Sequence, residues 1–375
     1  MHDQTDDGAS PMPQAPQAPS RRRLLGALTG LPVVALLAGL LPDDAEAARR
    51  RRGRKRSHRP GRKKDRRQDR RQKERRRKAR RKETCHVCAT GCAFTSVQAA
   101  HDAAQDGDTL ILCEGTYTES VTIQKNVTIR SRAGETAVLQ GTGSGSVVTV
   151  QPNTTMTIGD RTWISGGTGT LINGIVSGGG IVNYGTLTVT AEAIVIENTA
   201  QRGGGIYNDG TLTVSGVATR VHDNTATTDG AGIYNERGAT LTIDNAQIHK
   251  NAATGNGGGI FNSGLATLII QNNAQVFDNT AAQGAGIYST VGIDSSVSVA
   301  ITDSSVTGNV ASGVGGGIFN VGGPVTLKSS TVFQNTAAIA GGIFNTEGGL
   351  ITLDSESAVV DNDPTNCVGT DACDA

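Results

Sequence analysis

Six cysteines, two stacked histidine positions and one column of aromatic rings are the side chains in this chain with chemistry to offer. Cys85, Cys88, Cys92 and Cys113 precede a repetitive region, and Cys367 and Cys373 follow it. An even set placed at both ends suits disulfides that clamp terminal turns against fraying. Cys367 and Cys373 are close enough to pair locally. Cys92 with Cys113 would tie an N-terminal helix to the first strand, which leaves Cys85 with Cys88. The competing chemistry is a zinc site from Cys85-x2-Cys88-x3-Cys92, completed by His86 or Cys113. Structural zinc usually shows two paired knuckles, and this chain has one.

His222 and His249 occupy the same place in successive repeats, so a two-histidine metal site is one reading. The other occupants of that place are Ile196, Phe277, Thr307, Phe333 and Val360, which favour a half-covered outer stripe. Glycoside hydrolysis needs two carboxylates about 5–9.5 Å apart, which in stacked repeats means acids at one position on neighbouring rungs. Asp223 and Asp278 share a position, but the copies between and after them are Lys250, Gly308 and Gln334. Asp244 is matched by Ser215, Gln271 and Lys328, with Asp303 and Asp354 further on. No run of three successive rungs carries an acid at one position, and no glycine-rich calcium nonapeptide occurs. Gly141-x-Gly143-x-Gly145 opens no helix, so it does not read as a phosphate loop. No cofactor is called for.

The elements that position these groups follow from repetition. The chain writes GGGIVN, GGGIYN, GAGIYN, GGGIFN, GAGIYS, GGGIFN and AGGIFN, with isoleucines Ile181, Ile206, Ile233, Ile260, Ile287, Ile318 and Ile343. The steps are 25, 27, 27, 27, 31 and 25 residues. A fixed period of this size means stacked units that bury their apolar faces against neighbours. Alternating runs such as Thr211-Leu212-Thr213-Val214 read as strands between Gly and Asn corners. A second short strand holds Val195, Val221, Ile248, Val276, Val306, Val332 or Val359 and closes on Asn198, Asn224, Asn251, Asn279, Asn309, Asn335 or Asn362. No segment here has a 3.6-residue apolar period. Two or three strands per turn give an all-β parallel β-helix.

Within the hexapeptide, Asn208, Asn235, Asn262, Asn320 and Asn345 are expected to form a structural ladder, since Asn suits corners by conformation and by its amide. Tyr207, Tyr234, Phe261, Tyr288, Phe319 and Phe344 form the aromatic column, six of the chain's twelve aromatic residues. If Ile and Asn point inward, alternation turns the rings outward as a platform for sugar rings or a partner protein. The packing alternative lays the rings against the flanking glycines.

At these residues the chain resembles the right-handed parallel β-helix repeat proteins of bacterial surfaces, with Gly-Gly-Ile and Asn repeats similar to those of polymorphic outer-membrane proteins. The resemblance covers residues 94–364. It implies fold far more than activity, since the same fold carries lyases, hydrolases and adhesins. Phe94, Val97, Ala100 and Ala104 share a helical face that ends at Asp106-Gly107, and a strand follows at Thr109–Cys113. This order is similar to the N-terminal cap of pectate-lyase-like β-helices. Residues 84–120 are therefore assigned to a cap with a short helix and the first strand, and 121–364 to the solenoid. Residues 365–375 are assigned to a cysteine-containing tail. About ten rungs at the interstrand spacing make a rod about 45–50 Å long.

Two further segments have opposite characters. Residues 1–47 read as an export signal: Ser20-Arg21-Arg22-Arg23-Leu24-Leu25 resembles a twin-arginine motif, an apolar run follows, and Ala45 and Ala47 suit cleavage. The alternative is an uncleaved anchor. Residues 48–83 are a polybasic arm, with 23 Lys/Arg against three acids between Arg49 and Lys82. Such a block stays solvated. Behind an export signal it favours anionic lipid or wall polymer over nucleic acid, at about 1 kcal/mol per charge. Positive charge just after an apolar run opposes translocation, the one physical objection to export.

The resulting expectation is a monomeric, exported bacterial surface module without catalytic activity, structural or adhesin-like. A polysaccharide lyase or glycoside hydrolase is the rival from another class. A binder of anionic polymer or nucleic acid through the arm is the third reading.

Overall fold

A computed structural model describes residues 84–291 and 298–373, so the expected export signal and basic arm lie outside the described residues. The chain coils through four sheets. Sheet I runs from strand Asp108–Leu112 to Leu350–Leu353, sheet II from Gly115–Thr118 to Ala358–Val360, and sheet III from Val121–Ile123 to Cys367–Val368, with ten strands each. Sheet IV has seven, from Thr170–Ile172 to Val310–Val314. All named strand pairs are parallel except the hairpin of Thr170–Ile172 with Ile175–Ser177. One regular coil passes through Ile206–Asn208 in sheet III, Thr211–Ser215 in I, Arg220–His222 in II and Thr225–Asp229 in IV. The protein is a parallel β-helix.

Four strands per turn exceed the two or three expected. The fourth side is built from Thr-Ala segments with little hydrophobic signal. Its inward residues Ala226, Ala253, Ala281 and Ala311 form a small cluster of their own. The main core has larger side chains. Ile206, Ile233, Ile260 and Ile287 stand in register across sheet III, and Leu212, Leu241 and Leu268 across sheet I. All seven are fully buried, each contributing about 1.5–3 kcal/mol.

Two asparagine ladders run along the coil. At the corner from sheet II to sheet IV, Asn198, Asn224, Asn251, Asn279, Asn309 and Asn335 each donate Nδ2–H to the next Oδ1 at 2.9–3.0 Å. The same Oδ1 also accepts the backbone N–H of the preceding Asn, as Asn251 does from Asn224 at 3.1 Å. The amide's other proton goes to a carbonyl, as from Asn224 to Val195 at 3.0 Å. Each side-chain amide of this ladder is thereby paired, which removes a desolvation penalty of about 1–3 kcal/mol. In sheet III, Asn183, Asn208 and Asn235 donate to Asn208, Asn235 and Asn262 at 2.7–2.8 Å, and Asn320 donates to Asn345 at 2.8 Å. Ser289 interrupts this second ladder between Asn262 and Asn320. Ser289 Oγ and Asn320 Oδ1 are buried without partners.

Glycine is required where coils touch. A Cβ on Gly232 would lie 2.5 Å from the carbonyl oxygen of Gly259 and 2.9 Å from Asn251 Nδ2. Neither neighbour has room to move, because both belong to the next rung's backbone and ladder.

The N-terminal end is closed by helix α1, Val97–Ala103. Glu119 accepts the Val97 and Gln98 amides at 2.7 and 3.0 Å, supplying a negative charge at the helix start. Buried His101 accepts the Gln124 amide on Nε2 at 3.1 Å, so Nδ1 carries the proton and faces Asp102 at 3.2 Å. Val97 and Ala100 cover the open coil, the edge that otherwise invites further strand pairing.

Disulfides join Cys85 to Cys113, Cys88 to Cys92 and Cys367 to Cys373. The first two replace the expected Cys92–Cys113 and Cys85–Cys88 pairs. Val87 is bridged to Leu112, and the Cys113 amide donates to the Val87 carbonyl, which brings Cys85 to a Cα separation of 5.5 Å from Cys113. Cys88 is turned the other way, toward Cys92 across a tight loop closed by the Cys88 amide on the Phe94 carbonyl. At the far end the assigned tail contributes to the coil, since Cys367–Val368 pairs with Ile343 and Phe344.

Ser289→Asn should complete the second ladder and raise unfolding stability by about 1 kcal/mol, read from urea melts. Gly232→Ala should lower it by at least about 2 kcal/mol, because the added methyl has nowhere to go. A neutral result for Gly232→Ala would show that the rungs separate more easily than their contacts imply.

Candidate functional site

The aromatic column lies on the side of sheet III opposite the core isoleucines, yet it is covered. Tyr207, Tyr234, Phe261 and Phe319 are 5%, 5%, 8% and 7% exposed, and Tyr288 and Phe344 are half-buried. Successive rings stack face to face with centroids 4.7–5.7 Å apart and planes within 14°. Val182 continues the column below Tyr207. Four residues before each ring the chain folds back against it, at a glycine in five rungs and at Ala340 in the last: Gly230, at φ +64°, lies so close that a Cβ would sit 2.9 Å from Tyr234 Cα. Sugar recognition by stacking needs a free ring face, and here neighbours occupy the faces. The column is a second apolar spine, separate from the main core. The outward platform expected from alternation is a packed one.

Its polar margin holds residues that the sequence reading passed over. Tyr207 donates its phenol to Glu236 at 2.8 Å, and the Arg202 guanidinium lies 5.3 Å from the Tyr234 ring centroid. Burial, then the bond to Glu236, holds the Tyr207 phenol far above its ordinary value. Burial also pushes Tyr234 up to about 12. Asp209 and Glu236 each follow a ladder asparagine, Asn208 and Asn235, that pair in register. Their backbones therefore stand one rung apart, about 4.8 Å. Burial first and the Glu236 charge second raise the Asp209 pKa, although Asp209 is exposed as a residue and solvent screens part of that effect. Glycoside hydrolysis uses two neighbouring carboxyls as acid and partner, and the register places Asp209 and Glu236 on adjacent rungs. Only two rungs carry acids at this place, since Ser263, Thr290 and Val321 follow.

His222 and His249 stack with centroids 4.7 Å apart and planes 5° apart, and Phe277 continues the stack at 4.6 Å from His249. A shared metal needs two nitrogens converging at about 2.0–2.1 Å from it. Parallel rings at this separation direct their lone pairs side by side instead. His222 Nδ1 is also held by Asp223 at 2.5 Å. Neither His249 nitrogen has a partner. Burial, then the His222 neighbour, pushes the His249 imidazole down to about 4 from its ordinary 6.5.

No family model matches the chain, and no curated protein is found to be similar to it. Among solved structures the chain is similar to the pectin methylesterase from Aspergillus niger in deglycosylated form, at 12% identity and a TM-score of 0.41. The similarity covers 77% of this chain and 91% of that one. A likeness of this degree carries no argument about activity.

The depressed His249 value makes acid stability testable. Between about pH 6.5 and 4 the unfolded chain binds a proton that the folded chain refuses. Stability is therefore fully present above pH 6.5, falls as pH drops through this window and levels off below it. His249→Phe should extend the Phe277 stack and flatten that part of the melting-temperature profile. An unchanged slope would show that His249 is not the responsible group.

Proposed function

We propose that the protein is a non-catalytic exported β-helix module, structural or adhesin-like, that meets glycan or protein on its outer surface. One observation carries this reading: the side chains that recur from coil to coil are taken up inside the scaffold. Isoleucines fill the core, asparagines satisfy each other, alanines fill the narrow side, and aromatic rings cover one another. Repetition here serves a rigid rod, and the outward positions that differ between rungs are left for recognition. Disulfides at both ends of the coil belong to an oxidising compartment. The basic arm is the proposed tether to anionic lipid or wall polymer.

A glycoside hydrolase or polysaccharide lyase is the second reading, favoured by Asp209 and Glu236 on adjacent rungs beside Tyr207. The two are separated by incubating the purified protein with pectin and alginate while following reducing ends and unsaturated uronate. The first reading expects no release and retained binding on a glycan or protein array. Release that disappears in Asp209→Asn and in Glu236→Gln would overturn it in favour of the second. For the arm, deletion of residues 49–83 should abolish sedimentation with vesicles rich in anionic phospholipid.

A further inference from the structure

We propose that Cys85, Cys88, Cys92 and Cys113 form one redox-governed metal site, two cystines when oxidised and a zinc tetrathiolate when reduced. The fold brings the four cysteines of the N-terminal cap together as two adjoining cystines, which meet through Cys113. The sulfurs of Cys88, Cys92 and Cys113 lie within 4.8 Å of one another, and Cys85 is bonded to Cys113. In a tetrahedral zinc site with Zn–S of about 2.3 Å the sulfurs stand about 3.8 Å apart. The contacts of Cys113 with Cys88 and Cys92 then shorten by up to about 1 Å, Cys85 turns in toward the same point, and the bonded pairs open by less than about 2 Å. Cα separations of 5.5 Å in both pairs leave this to side-chain rotation.

The frame that holds these cysteines does not depend on the disulfides. Val87 is bridged to both Leu112 and Phe94. The Tyr117 phenol lies 3.0 Å from the Val87 carbonyl and 2.9 Å from that of Cys113, pinning both cysteine-bearing segments. The His86 and Cys88 amides are bonded to the Ile111 and Phe94 carbonyls. Cys85 and Cys88 are buried while Cys92 and Cys113 are half-buried, so the site is shielded on one side and open to an ion on the other. His86 Nδ1 faces the Ile111 amide at 3.4 Å, which turns it away from the fourth-ligand role. The Glu135 carboxylate lies within 4.8 Å of the Cys85 and Cys113 sulfurs, but Arg132 and the Glu114 amide hold it.

The conversion balances with a small thiol as reductant. Four thiol molecules deliver four electrons and four protons to the two cystines and leave as two disulfides. The four cysteine thiols then bind one Zn²⁺ and release four protons, so affinity rises with pH. Oxidation reverses the sequence and expels the ion. Redox state thus selects which cross-link secures the cap.

The full chain, reduced with a dithiol under anaerobic conditions, is loaded with Zn²⁺ or Co²⁺, desalted, and analysed for metal and absorbance. The expected result is about one metal per chain, with a near-ultraviolet sulfur-to-cobalt band and the strong visible bands of tetrahedral cobalt. Cys367→Ser/Cys373→Ser should retain both signals. Cys92→Ser and Cys113→Ser should each lose at least tenfold in metal retention. Far-ultraviolet circular dichroism confirms that each variant keeps its β-structure, and Cys92→Ser, at a half-buried position in a short loop, is the variant best placed to do so. Absence of metal from folded reduced protein, or equal loss in the C-terminal double variant, would overturn the proposal.

Discussion

In-register stacking is the constraint from which the rest of this molecule follows. Each coil is completed only by its copies above and below, so a side chain must be compatible with itself at a separation of about 4.8 Å. Asparagine meets this condition because its amide donates on one side and accepts on the other, and both ladders exploit it. Aliphatic and aromatic side chains meet it by contact. Carboxylates do not, because like charges directly opposite repel. Acids therefore enter singly or as short pairs on adjacent rungs, as Asp209 with Glu236 and Glu197 with Asp223. Ser289 shows the rule from the other side: a hydroxyl in an amide ladder leaves Asn320 Oδ1 without its donor.

The cross-section of the coil is set by side-chain size as much as by strand pairing. Alanines fill the fourth side as a small cluster of their own, and glycines at the next corner let the chain reverse without a Cβ striking the adjacent rung. That sharp reversal lays the backbone against the aromatic column. The ring stack is consequently enclosed on an outer face that strand alternation alone would leave open.

The ends of the solenoid are where stacking fails and other devices take over. Helix α1, the Glu119 carboxylate at its start and two adjoining cystines close the first coil. A single cystine and the short strand Cys367–Val368 close the last. Covalent cross-links are placed where each strand has a neighbour on one side only, and where local unfolding begins at least cost.

The fold was legible because its determinant is a period. Seven hexapeptides fix the coil length, and the Val or Ile three residues before each corner asparagine identifies the core, so no long-range information is needed beyond stacking each copy on the last. The fourth strand escaped because Thr-Ala segments carry no hydrophobic alternation and are held by their neighbours. The cystine partners escaped because the bridge of Val87 to Leu112, not spacing along the chain, decides which sulfurs meet. The exposure of the aromatic column and the pairing of Asp209 with Glu236 also belong to tertiary structure. Alternation gives the direction in which a side chain leaves its strand. What lies over it there depends on how the glycine corner folds back, and which single residues become neighbours depends on the register between coils.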